Sequence, residues 1–163
     1  MKTVSGNLIE LALEGKFNAI IHGCNCFNTM KSGIAKEIAE KLPEAVEADK
    51  ATEAGCINKL GTYSRAFIKR EDVEFIVYNA YTQYRFKRSS DFRGPTDIFN
   101  YTAFDLILYK LRETLPENSS IGFPLIGCGL AGGSREKIVD RIKVFSSLRQ
   151  DLDVNLVVFR GEV

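Results

Sequence analysis

His22-Gly23-Cys24-Asn25-Cys26-Phe27-Asn28-Thr29-Met30-Lys31-Ser32-Gly33-Ile34-Ala35 and Phe123-Pro124-Leu125-Ile126-Gly127-Cys128-Gly129-Leu130-Ala131-Gly132-Gly133 are the two stretches on which the reading of this chain turns. Each follows a short apolar run that reads as a buried strand, and each leads into a helical pattern. Both helix starts would then open at one edge of one sheet. A helix start offers unpaired N–H groups and a positive dipole end, and glycine lets backbone approach a ligand closely. One such loop suits an anion, and two suit a diphosphate.

Working outward from the loops, strand and helix patterns alternate. Thr3-Val4-Ser5 reads as a first strand, Asn7 as the cap of a helix from Leu8 to Glu14, and Phe17 to Cys24 as a fully buried strand. Ile34, Ala35, Ile38, Ala39 and Leu42 recur at helical spacing over Gly33 to Leu42, and Pro43 ends that helix before a polar one, Glu44 to Thr52. Tyr63 to Ile68 and Phe75 to Ala80 read as a hairpin around Lys69-Arg70-Glu71-Asp72. A helix over Asp97 to Leu115, a strand over Ile121 to Leu125, a helix over Ser134 to Leu148 and a strand over Asn155 to Phe159 complete the pattern. The fold class is therefore α/β, with a mixed, mainly parallel sheet covered by helices on both faces, and its ligands would bind beyond the carboxyl ends of the strands.

The 163 residues, 45% hydrophobic and 26% charged, fit a single domain, 1–163, with a full core. Twenty-two Lys and Arg against 21 Asp and Glu give a net charge of +1, so any attraction for phosphate must be local, and neither nucleic acid nor a membrane is an expected partner. No apolar run approaches the roughly 20 residues of a membrane span, and no signal peptide is visible, so a cytoplasmic protein is expected. Cys24, Cys26, Cys56 and Cys128 lack the paired spacing of a zinc site and read as reduced packing residues; no metal and no cofactor are expected.

Several residues admit two readings. Asn25 and Asn28 either bond sugar hydroxyls at a strand end or serve the turn itself. His22, the sole histidine, is either a base or donor in the pocket or a satisfied strand-end residue. Ser32 would cap the helix whose amides meet a phosphate, with Lys31 beside it. Gly127, Gly129 and Gly132 form a Gly-x-Gly-x-x-Gly too late in the chain for a dinucleotide oxidoreductase. Phe159 packs on a ligand ring or in the core. Gln83 to Thr96 is a long connection with Arg85, Lys87, Arg88 and Arg93 among Tyr84, Phe86 and Phe92, which either grips single-stranded nucleic acid or rims the pocket as a solvated loop.

Taken together, Gly6-Asn7-Leu8, the Asn25 to Ala35 loop, Tyr81-Thr82-Gln83 and the Pro124 to Gly133 loop resemble the macrodomain family, an ADP-ribose-binding three-layer α/β/α fold. His22-Gly23-Cys24-Asn25-Cys26-Phe27 and Gly129-Leu130-Ala131-Gly132-Gly133 resemble the branch that contains the ADP-ribose 1″-phosphate phosphatases and the terminal ADP-ribose protein glycohydrolase. The resemblance implies that Asn7 accepts a bond from the adenine amino group between Leu8 and Phe159, and that Asn25 and Asn28 face the distal ribose near Thr82. It implies that Ser32, Gly33 and Ile34 hold one phosphate, while Ile126, Gly127, Cys128, Gly129, Leu130 and Ala131 wrap the other. Relatives that release ADP-ribose from glutamate carry a lysine and an aspartate where this chain has Thr82-Gln83 and Ala131, and many bacterial relatives read Gly-Asp-Trp at Gly133-Ser134-Arg135. The implied function is binding of ADP-ribose with hydrolysis of ADP-ribose 1″-phosphate, a water being placed by Asn28, His22 and loop amides. The alternatives are a non-catalytic reader of ADP-ribose or of ADP-ribosylated protein and, third, an ADP-ribosyl hydrolase using Asp91.

Overall fold

The computed structural model describes residues 1–86, 98–129 and 131–159. Its strands are β1 (Lys2–Ser5), β2 (Ala19–Cys24), β3 (Tyr63–Arg70), β4 (Val73–Tyr81), β5 (Ser120–Phe123) and β6 (Asp153–Val158). Among the described residues the helices are α1 (Leu8–Leu13), α2 (Gly33–Lys41), α3 (Pro43–Lys50), α4 (Tyr101–Thr114) and α5 (Arg135–Leu148), with a short 3-10 helix at Ile57–Lys59. The six strands form one sheet in the order β1-β6-β5-β2-β4-β3, in which every neighbouring pair is parallel except β3 with β4. This is the mixed, mainly parallel sheet that the alternating pattern requires.

Alternation along the central strands sends side chains to two cores. Ile21 of β2, Phe123 of β5 and Leu156 of β6 pack with Phe104, Ile107 and Leu111 of α4 and Ile138 and Ile142 of α5. Ile20 of β2, Val77 of β4 and Val157 of β6 pack with Ile9 and Ala12 of α1, Ile38 of α2 and Ala45 of α3. Each fully buried Ile, Leu or Phe in these layers contributes about 1.5–3 kcal/mol, so the sheet is held rigidly and its strand ends are fixed platforms. Among the described residues no helix is long and apolar enough to cross a membrane.

Element boundaries depart from the sequence reading in instructive places. Helix α4 begins at Tyr101, capped by the Asn100 side chain, which accepts from the Ala103 N–H; Asp97 lies outside the described residues. The hairpin is tighter than Lys69-Arg70-Glu71-Asp72 suggests, because Lys69 pairs with Glu74 and Arg70 with Val73, leaving a two-residue turn. Strand β6 ends at Val158, so Phe159 stands beyond the sheet and is 53% exposed rather than core. Pro43 is the first residue of α3 and fits there because its missing N–H is unpaired at a helix start in any case.

Candidate functional site

A cleft of about 1030 Å³ runs across the carboxyl ends of the strands, from β1 and β6 at one end to β2 and β4 at the other. Gly6, Asn7, Leu8, Val157 and Phe159 line one end, and Asn25, Thr29, Gln83 and Phe86 the other. Between them the two glycine loops face each other: Lys31 to Ala35 on one side, Pro124 to Gly127 with Gly129 and Ala131 on the other. Lys31 and Glu37 carry the formal charges among the described lining residues.

The first loop is tied down by its own side chains. Asn25 accepts the Phe27 N–H at 2.8 Å and donates through Nδ2 to the Thr29 carbonyl and hydroxyl at 3.1 and 2.7 Å, an Asx turn that consumes its donors while the residue still lines the cleft. Asn28 has φ of 59°, a left-handed conformation that asparagine tolerates. Its Nδ2 donates to the Thr52 carbonyl at 2.9 Å, and its Oδ1 accepts from the Thr52 hydroxyl at 3.3 Å and from the Lys59 ammonium. Lys59 is buried, donates also to the Cys26 carbonyl at 3.1 Å and lies 4.6 Å from the centre of the Tyr81 ring. Behind it, buried Asp49 accepts from the Tyr81 hydroxyl at 2.7 Å, and burial raises its carboxyl above the ordinary value. The Asn28 amide therefore faces away from the cleft and braces the loop.

His22 is fully buried, with Nε2 and Asn79 Oδ1 2.6 Å apart. Burial lowers its pKa to about 4, so the ring is neutral at pH 7, and it is not among the cleft-lining residues. Both side chains that the resemblance assigns to placing a water are engaged inside the protein here: His22 on Asn79 in the interior, and Asn28 on Thr52 and Lys59 beyond the end of α3. Cys24 lines the cleft, and burial pushes its thiol well above its ordinary value, which favours the protonated form.

At the mouth of α2 the geometry is open. Ser32 sits at the N-cap position with extended backbone, but its hydroxyl makes no capping bond, and Ser32 and Gly33 are exposed in the cleft. The capping expected of the Ser32 hydroxyl is absent, so the N–H groups that open α2, at residues lining the cleft, receive no cap from it. The second loop is built from backbone: Ile126 N–H donates to Pro124 at 2.8 Å, Gly132 to Gly129 at 3.0 Å and Gly133 to Gly127 at 2.8 Å. Gly127 has φ of +72°, and a Cβ there would stand 2.2 Å from the Phe99 ring, whereas a Cβ on Gly129 would meet nothing within 4 Å. One glycine is demanded by packing, and the other leaves space for a ligand.

At the β1–β6 end, Leu8 is buried and Phe159 exposed on the rim. Asn7 caps α1 by accepting the N–H groups of Ile9 and Glu10, both at 3.0 Å, and donates through Nδ2 to Glu37 Oε1 at 3.0 Å. Its oxygen thus already accepts two N–H groups, where the resemblance implies a bond from the adenine amino group. Thr82 is fully buried; its Oγ1 has no partner among the described residues and would stand 2.9 Å from a Cβ on Gly23. It lies below the cleft floor rather than in it, and Cys128 is likewise outside the lining. Leu130, and with it Lys87, Arg88, Asp91, Phe92 and Arg93, lies outside the described residues. Sequence reasoning missed Glu37, Lys59 and Asp49. Glu37 had a local signal, since it falls four residues after Gly33 on the helix that opens at the cleft; Lys59 and Asp49 had none.

A phage T4 protein described as the uncharacterized 17.5 kDa protein in the tk-vs intergenic region is 35% identical over 152 residues, covering 90% of each chain. No protein-family model matches the chain. Among solved structures, the macrodomain of Mycobacterium tuberculosis DarG superposes with a TM-score of 0.74 at 23% identity, over 96% of this chain and 97% of that one. A Trypanosoma brucei macrodomain in complex with ADP-ribose superposes with a TM-score of 0.64 at 15% identity, over 96% of this chain and 62% of that one.

Proposed function

We infer that this chain, which belongs to the same family as the 17.5 kDa phage T4 protein and has the macrodomain fold, binds ADP-ribose or an ADP-ribosyl group in the cleft. The observation that carries this reading is the uncapped start of α2 facing the open Gly129 across the cleft, since a helix start opposite a glycine with room beside it suits a diphosphate. The likeness to a macrodomain structure containing ADP-ribose supports the same ligand. In this reading Leu8 and Phe159 flank the adenine, Ser32, Gly33 and Ile34 hold one phosphate, and Ile126, Gly127 and Gly129 hold the other. Asn25 and Gln83 border the distal ribose. Binding, rather than rapid turnover, is the function that the geometry supports best, because the described cleft presents no side-chain base at that ribose and His22 and Asn28 are turned away.

Hydrolysis of ADP-ribose 1″-phosphate is the second reading, favoured by the resemblance of His22 to Phe27 and of Gly129 to Gly133 to the phosphatase branch. It would rely on positioning and on amides that stabilise developing charge, and so run slowly. Calorimetric titration with ADP-ribose, followed by an assay of phosphate release from ADP-ribose 1″-phosphate, separates the readings. Micromolar binding without release supports a reader or sequestering module. Binding with release supports the phosphatase, and absence of binding overturns both.

A further inference from the structure

Resting on the ADP-ribose reading, the geometry points to Glu37 as the residue that selects a 6-amino purine over a 6-oxo purine at the β1–β6 end of the cleft. Asn7 stands where a base could be read, but a carbonyl oxygen has two lone pairs, and its Oδ1 already accepts from Ile9 and Glu10. Turning the amide over would set its NH2 against those two N–H donors and its oxygen against a carboxylate, so the orientation is fixed by the helix start. What Asn7 offers instead is a donor to Glu37 Oε1 at 3.0 Å, and Lys41 Nζ reaches the same oxygen at 3.1 Å.

These two bonds pin Glu37, while among the described residues neither uses Oε2. Its carboxyl is held below the ordinary value, first by the Asn7 bond, and is ionised at neutral pH. Glu37 lines the cleft together with Leu8, Val157 and Phe159. An apolar slot with one fixed anionic acceptor at its side suits a planar heterocycle that presents an N–H donor. It disfavours one that presents a carbonyl, whose oxygen would face the carboxylate. Because the carboxylate is held in place without a ligand, little ordering is needed on binding. Asn7 is then a positioning residue, and Glu37 the one that touches the base.

The test is calorimetric titration of the wild-type protein, Glu37→Gln and Glu37→Ala with ADP-ribose and with inosine diphosphate ribose, thermal melting confirming that the variants fold. Wild type should prefer ADP-ribose by about tenfold or more, the scale of a hydrogen bond to a charged group. Both variants should bring the ratio close to one, chiefly by weakening ADP-ribose. A merely structural Glu37 would lower both affinities together and leave the ratio unchanged, which overturns the proposal, as would equal affinities in the wild type. If the wild type binds neither ligand, the ADP-ribose reading falls with it.

Discussion

In the first loop side chains hold the backbone, through Asn25 on Thr29 and Asn28 on Thr52 and Lys59, whereas in the second the backbone holds itself, through glycine-to-glycine bonds packed on Phe99. Both line one cleft. The difference teaches that polar side chains near a strand end need not be the ones that meet a ligand. Here the asparagines are consumed in building the loop, and the uncapped start of α2 is left open to the cleft. It also means that the two loops should fail differently when perturbed.

The largest effect is expected at Gly127→Ala. The left-handed backbone and the overlap with Phe99 together should cost about 3 kcal/mol or more, read as a fall in the urea midpoint with m unchanged. A neutral outcome would break the account of the second loop. Acid should act beneath the first loop. His22 has a folded pKa of about 4, below its ordinary 6.5, so stability is full above pH 6.5. As pH falls below 6.5 the unfolded chain takes up a proton that the folded chain refuses, and the loss is complete near pH 4. It should reach about 3 kcal/mol. As the sole histidine, its imidazole NMR resonance reads this directly, and a midpoint near 6.5 would refute the buried placement.

Asn28→Ala should cost about 2 kcal/mol, since it leaves the buried Lys59 ammonium short of an acceptor. A cycle with Lys59→Met should recover part of that loss, and independent, additive effects would show that the brace is not a unit. The smallest effect on stability belongs to Gly129→Glu, within about 0.5 kcal/mol because the position is open. The same variant should weaken ADP-ribose binding by about a hundredfold by setting a carboxylate against phosphate. Unchanged affinity there would move the ligand away from the second loop.

The strands and helices were legible because they obey local rules: period two into two cores at Ile20 and Ile21, period 3.6 over Ile34 to Leu42, and a cap at Asn7. So was the placement of both glycine loops at one sheet edge, which follows once the strands are parallel. The roles of His22, Asn28 and Asn7 were not legible, because each depends on a partner distant in sequence: Asn79, Thr52 with Lys59, and Glu37. Sequence also gave no sign that a hydroxyl at the cap position, Ser32, would decline to cap.

By itself, then, the order of residues determined the α/β class, the sheet's mixed sense and the edge at which a ligand would bind, since hydrophobic period and glycine placement act within a few residues of themselves. Tertiary structure alone decided which polar groups remain for that ligand. A donor or acceptor can be used only a fixed number of times, and whether it is already used is settled by what the fold brings beside it.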